Sequence, residues 1–219
     1  MADLLPTNFP LPSPLAIASY NYSDVAEGTG ILLLYGGKLQ DSTSARHYLN
    51  QTAFRSSLNI ATANTALDYT ENTDIADAAD FTIISGLDLD FDLGEFNYPR
   101  DIKGTGYFSI PITTTVGSGG HEFYIIVKLR KWDGTTETEV ASAQSGTFSL
   151  LYQAYKLLIP MTVPLVHFER GTQLRITLEG YYKGTSPGNP NALRIWHDPK
   201  ATVANTDIIF SIPTRLTDI

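Results

Sequence analysis

Period-two alternation dominates the chain. Leu87, Leu89, Phe91 and Leu93 fall on one face of an extended segment, and Asp88, Asp90 and Asp92 fall on the other. Upstream, Ile31–Tyr35 is a short apolar run closed by Gly36-Gly37, as expected of a buried strand. Phe81–Ser85 reads as a strand, Asp74–Ala79 as a loop or one helical turn, and His47–Leu58 fits either a strand or a helix. In the second half Gly106–Thr115 is a strand and Val116–Gly120 a turn. Glu122–Trp132 is a long strand that meets Asp133-Gly134, a strong short hairpin signal, and Thr136–Ser142 returns antiparallel to it. Thr147–Gln153 and Tyr155–Val166 follow, and Pro160 and Pro164 make the latter an edge strand or a bulged one. Gly171-Thr172 turns the chain into Gln173–Tyr181, Lys183–Asn191 is a loop, and Leu193–His197 and Ile208–Pro213 are the last strands.

Roughly nine to eleven strands result, at the spacing of sandwiches and with no helix longer than two turns. No long linker divides them. The expectation is a single all-β domain over residues 20–219, a jelly-roll-like antiparallel β-sandwich. Residues 1–19 form an extended N-terminal arm ahead of it, because prolines at positions 6, 10, 12 and 14 exclude a helix or a central strand. The segment reads either as a disordered tail or as an arm across a neighbouring subunit, and Leu4, Leu5, Phe9, Leu11, Leu15 and Ile17 favour the arm because a solvated tail is usually poor in such residues.

Composition narrows the function. The chain of 219 residues has a net charge of −8 and no clustered basic run, which disfavours nucleic-acid binding. Cysteine is absent, so disulfides, thiolate metal sites and cysteine nucleophiles are excluded. That absence points toward a cell-interior or virus-assembly origin. The opening MADLLPTNFP has no basic stretch and no apolar core, so it does not read as a signal peptide, and no apolar run approaches the ~20 residues of a membrane helix.

Catalytic motifs are missing from the linear sequence. His47, His121, His167 and His197 stand in no HExxH or HxH arrangement, and neither GxSxG nor GxxxxGK[ST] occurs. Asp88, Asp90 and Asp92 form the sharpest constellation: same-face neighbours about 7 Å apart could share calcium. An EF-hand does not fit, since Gly94 comes one place late and Pro99 occupies the position of the bidentate glutamate. The competing reading is a charged strand face that blocks edge pairing. No carboxylate pair is singled out among Asp88, Asp92, Glu95, Glu169, Glu179 and Asp198 for glycoside hydrolysis. Trp132, Trp196 and Tyr98 are candidate contact residues, since aromatic rings serve as interface anchors or stack on a glycan.

Several stretches carry a resemblance. They are GTGILLLYG (Gly28–Gly36), LDLDFDLGEFNYPRDIKGTGYFSIPI (Leu87–Ile112), KLRKWDGTTETEVAS (Lys128–Ser142), FERGTQLRITLEG (Phe168–Gly180) and LRIWHDP (Leu193–Pro199). The series resembles β-rich virion structural proteins of tailed bacteriophages and related viruses, of the minor capsid, decoration or tail-accessory type. The resemblance implies a homo-oligomer, with a trimer favoured, that contacts the major capsid protein or other virion proteins. It implies no active site. The expected function is therefore a non-enzymatic viral structural protein located in the virion. The alternative is a carbohydrate- or receptor-binding module of a tail fibre or baseplate.

Overall fold

The computed structural model describes residues 29–40, 45–51, 65–67, 69–73, 75–115, 121–149, 154–184, 192–197 and 207–215. Within them lie twelve strands: β1 (Thr29–Gln40), β2 (Ala45–Asn50), β3 (Thr65–Leu67), β4 (Tyr69–Asn72), β5 (Ala78–Asp92), β6 (Arg100–Thr115), β7 (Glu122–Trp132), β8 (Glu137–Gln144), β9 (Ala154–Phe168), β10 (Gln173–Gly184), β11 (Ala192–Trp196) and β12 (Ile209–Arg215). The fold is all-β and sandwich-like, as the alternation predicts. The arm residues Leu4, Leu5, Phe9, Leu11, Leu15 and Ile17 lie outside the described residues, as do Val116–Gly120 and the later part of His47–Leu58.

Neighbouring strands run β4-β11-β6-β12-β1-β2-β5-β10-β7-β8, with β3 also beside β1 and β9 beside β6. All pairs are antiparallel except a short parallel contact of β2 with β5. The path curls over, so that β8 comes against β9 and β4 against β5 without ladder bonds between them. Two layers result: β9, β6, β12 and β1, with β11 and β4 at one end, face β8, β7, β10 and β5. Leu34, Phe108 and Phe210 fill the space from the first layer, and Phe91, Leu89, Ile176 and Val127 from the second.

Local chemistry explains the turns. Asp133 Oδ1 accepts the backbone N–H of Thr135 at 2.8 Å and of Thr136 at 2.6 Å, and Gly134 takes φ +92°, which closes the predicted β7–β8 hairpin. Phe81–Ser85 and Leu87–Leu93, expected as separate strands, are parts of the single strand β5. Between them, at Gly86 (φ +76°), the pairing with β10 slips, so that Glu179 faces Asp88 while Tyr181 faces Ile83. Among the described residues strand β9 pairs only with β6, and it slips register next to Pro164, which agrees with the edge or bulged strand expected from its prolines.

Gly36 sits where β1 crosses the core. A Cβ there would meet Ile208 Cγ2 at 2.5 Å and Phe91 Cε1 at 3.0 Å. Gly36→Ala is therefore expected to cost about 1–3 kcal/mol by overpacking, read as a lower urea midpoint with unchanged slope. An unchanged midpoint would show that the core yields at this point.

Candidate functional site

One polar cluster interrupts the core. Thr70 on β4 places its hydroxyl among groups from three other segments. Lys38 Nζ of β1 donates to Thr70 Oγ1 at 3.2 Å, His47 Nε2 of β2 lies 3.2 Å from it, and His197 Nε2, just after β11, lies 2.9 Å away. Register explains the meeting: Lys38 faces His47 across β1–β2, and Thr70 faces Ile195 across β4–β11, so all of them project inward. Phe91 forms the floor, with its ring centroid 4.9 Å from that of His47 and 6.3 Å from that of His197.

A hydroxyl supplies one donor and two acceptor sites. Lys38, one imidazole N–H and the other imidazole's lone pair use all three. Burial, and then the nearby Lys38 charge, lower the pKa of His47 to about 4, against a weaker opposing pull from Asp90. Burial also lowers Lys38. A hydroxyl bonded to an imidazole is the pairing that activates nucleophiles. Here the hydroxyl's capacity is fully used and His197 is completely buried, so the cluster as it stands is a clamp on four segments.

The two outer faces differ in chemistry. On the β5–β10–β7–β8 layer, Arg175 forms a two-point pair with Asp92 (2.6 and 3.1 Å) and reaches Glu137 at 3.3 Å, while its guanidinium lies 5.2 Å from the Trp132 ring centroid. Thr177 donates to Asp90 at 2.5 Å. Glu179 binds Lys128 and accepts from the Tyr181 hydroxyl at 3.1 Å. The Asp92 hydrogen bond holds the Arg175 pKa above its ordinary value. Burial, followed by Asp90 and Glu179, raises Asp88.

The outer face of the other layer is uncharged through its centre. Registered positions place Ile31, Leu33 and Tyr35 of β1 beside Ser211 and Ile209 of β12, then Tyr107 and Ser109 of β6, then Leu158 and Pro160 of β9. Tyr107 is 48% exposed and Leu158 is 68% exposed. At one end of this face Arg194 packs on the Tyr69 ring (4.0 Å to the centroid) and near that of Trp196 (5.2 Å), and it pairs with Glu71 at 3.0 Å. Trp196 Nε1 donates to Thr113 Oγ1 at 2.7 Å, which locks the indole.

The structure thus separates the residues singled out from sequence. Trp196 stands beside Arg194 at one end of the outer face of the β1–β12–β6–β9 layer, and Trp132 stands on the opposite outer face, under Arg175. Tyr98 is 72% exposed in the β5–β6 connection, apart from both faces. Asp90 and Asp92 are engaged with Thr177 and Arg175, and Asp88 faces Glu179. Among the described residues no group of three or more His, Asp or Glu is arranged to hold a metal ion. Nor, among them, is any helix long and apolar enough to cross a membrane. The Thr70 cluster was missed because His47 and His197 were weighed only for local spacing. Nothing in the sequence marks Thr70 itself.

No protein-family model matches the chain, and no curated protein sequence does. Solved structures do match in fold. An α-amino acid ester hydrolase superposes with a TM-score of 0.54 at 13% identity, over 82% of this chain and 36% of that one. A CocE/NonD family hydrolase from Staphylococcus aureus gives 0.49 at 14% identity, over 86% of this chain and 37% of that one. The VP2 particle protein of infectious bursal disease virus gives only 0.26 at 10% identity, over 78% of this chain and 44% of that one. This chain spans about a third of the length of the two hydrolases it matches.

The likeness of fold to the α-amino acid ester hydrolase overturns the expectation of a viral structural protein. The capsid decoration or minor capsid role, the bacteriophage and virion assignments, the tail-module alternative and the exclusion of enzyme function go with it. The alternating strands and the Gly-Thr turn that suggested a virion protein belong to the sandwich, which an ester hydrolase also carries, and a fold of this kind serves many functions. The similarity to solved structures is a similarity of fold to a hydrolase-borne β-sandwich.

Proposed function

We propose that this chain is a β-sandwich module of an ester-hydrolysing system, seated against its catalytic partner through the uncharged centre of the outer face of the β1–β12–β6–β9 layer. The observation that carries the reading is the contrast between faces: ion-pair ladders cover one, while Tyr107 and Leu158 stand exposed at the centre of the other, whose charges, Lys156, Asp101 with His167, and Arg194 with Glu71, lie toward its ends. The α-amino acid ester hydrolase, which carries such a sandwich within a much longer chain, supplies the class of partner.

Tyr, Trp and Arg dominate the energetics of protein interfaces, and Tyr69, Arg194 and Trp196 stand at the end of this face. Four strands about 4.8 Å apart and six residues long span roughly 400 Å². A free-standing complex buries about 800 Å² per partner, so a face of this size suits a partner held close at high effective concentration.

The test compares wild type with the double variant Tyr107→Lys/Leu158→Asp, each tagged and expressed in the native source. The wild type is expected to co-purify with hydrolysis of α-amino acid esters. The double variant should lose at least about tenfold of it, with an unchanged melting temperature. No enriched ester hydrolysis with the wild type, or full retention by the double variant, would reject the reading. Equal hydrolysis by the chain purified from an unrelated host would assign the chemistry to this chain and remove the need for a partner.

A further inference from the structure

The Thr70 cluster lies directly behind the aromatic end of the docking face. Thr70 stands between Tyr69 and Glu71 in β4, and His197 follows Trp196. The inward side chains of β4 and β11 therefore hold the cluster, while their outward neighbours form the Tyr69–Arg194–Trp196 stack. Strand β4 is four residues long, ends the path of paired strands and is laddered to β11. Among the described residues, the Thr70 hydroxyl ties it to β1 and β2, while Asn72 Nδ2 separately donates to Ser85 O of β5 at 2.7 Å.

We propose that the Lys38–His47–Thr70–His197 cluster is an acid-sensitive latch: protonation of the imidazole that accepts from Thr70 frees β4 from β1 and β2 and loosens the Tyr69 side of the docking face's aromatic end. The latch rests on the docking reading for its functional meaning, and its physical operation stands apart from it.

Counting donors gives the mechanism. With both histidines neutral, the hydroxyl accepts from Lys38 and from one imidazole and donates to the other. A proton taken up at the accepting Nε2 makes all three neighbours donors to an oxygen with two lone pairs, and the threonine proton loses its acceptor, so the latch requires His47 to be the imidazole that accepts from Thr70. The charges facing His47 are Lys38 from β1, which opposes protonation, and Asp90 from β5, which favours it less strongly. His197 faces it from the end of β11 at 5.4 Å between ring centroids, and Phe91 of β5 supplies only an apolar ring.

The direction follows from linkage. In the latched state His47 titrates near 4, against 6.5 for the free side chain. The released state binds more protons between those values, so latching is fully favoured above 6.5 and weakens as pH falls toward 4. His47 alone then shifts the equilibrium roughly 50-fold between pH 7 and pH 4.5.

Backbone amide protection, corrected for intrinsic exchange, reads this in the isolated full chain. The protection factors of the β4 amides that donate to β11 should fall by that factor over this range, while those of the laddered amides of the β6–β9 pair stay constant. His47→Gln should remove most of the pH dependence. Thr70→Ser should preserve it, and Thr70→Val should lower β4 protection already at pH 7. Constant β4 protection across the range, loss only together with β6–β9, or an undiminished pH response in His47→Gln would overturn the latch. The measurement needs no partner, so a flat profile rejects the latch and leaves docking standing, whereas retained ester hydrolysis by Tyr107→Lys/Leu158→Asp rejects docking and leaves the latch standing.

Discussion

Phe91→Ala is expected to destabilise the fold by about 4 kcal/mol. The Phe91 side chain is completely buried and is the meeting point of both layers. Its ring packs 5.8 Å from that of Phe210 and also supports His47 and His197. Truncation removes apolar area and leaves a void that cannot collapse, because Gly36 holds the β1 backbone on one side and the Thr70 cluster is tied by hydrogen bonds on the other. For a chain of this size the melting temperature should fall by about 8–16 °C. A loss below about 1 kcal/mol would mean that neighbouring side chains refill the space. Water entering the void would lessen the burial that lowers His47, so its titration, followed by NMR, should move from about 4 back toward 6.5.

Lys128→Met carries the second large effect, a loss of about 3 kcal/mol at neutral pH. Glu179 lies on the central strand β10 and is 5% exposed, with Asp88 directly opposite on β5. Lys128 is its close cation, and Arg130 stands farther off at 3.7 Å. Without Lys128 the carboxylate stays buried beside another carboxylate, with Arg130 and the Tyr181 hydroxyl as partial compensation. Replacing both members, Lys128→Met with Glu179→Leu, should recover most of the stability, because the loss comes from stranding a charge rather than from the worth of the pair. Urea unfolding of wild type, both single variants and the double variant gives the coupling. Additive single losses in the double variant would show that the two groups act independently.

Much of the architecture was legible because strand chemistry is local. The Leu87–Leu93 alternation put Leu87, Leu89 and Phe91 into the core. Asp133-Gly134 marked its hairpin through a side-chain acceptor and a positive φ, and Pro160 and Pro164 marked an edge strand through missing donors. The break between Ser85 and Leu87 was read as a strand end, whereas the chain continues through a bulge at Gly86. The difference depends on whether β10 keeps pairing beyond it. The short strands β3 and β4 went unseen, because three or four residues carry too little periodicity.

Site chemistry was less legible. The Asp triplet suggested calcium or a bare solvent face until Arg175 and Thr177 appeared opposite two of its members. Trp132 and Trp196 looked alike as candidate anchors, and only the packing separates one beneath Arg175 on the charged face from one locked to Thr113 at one end of the opposite face.

By itself, the order of residues determined that this protein alternates, turns and pairs as an all-β sandwich, since side-chain direction along a strand and turn geometry are set by near neighbours. Only the tertiary structure decided which outward faces are charged and that Lys38, His47, Thr70 and His197 share one hydroxyl. Those properties arise from strands distant in sequence that become adjacent through the order of the sheet, and no local pattern encodes that order.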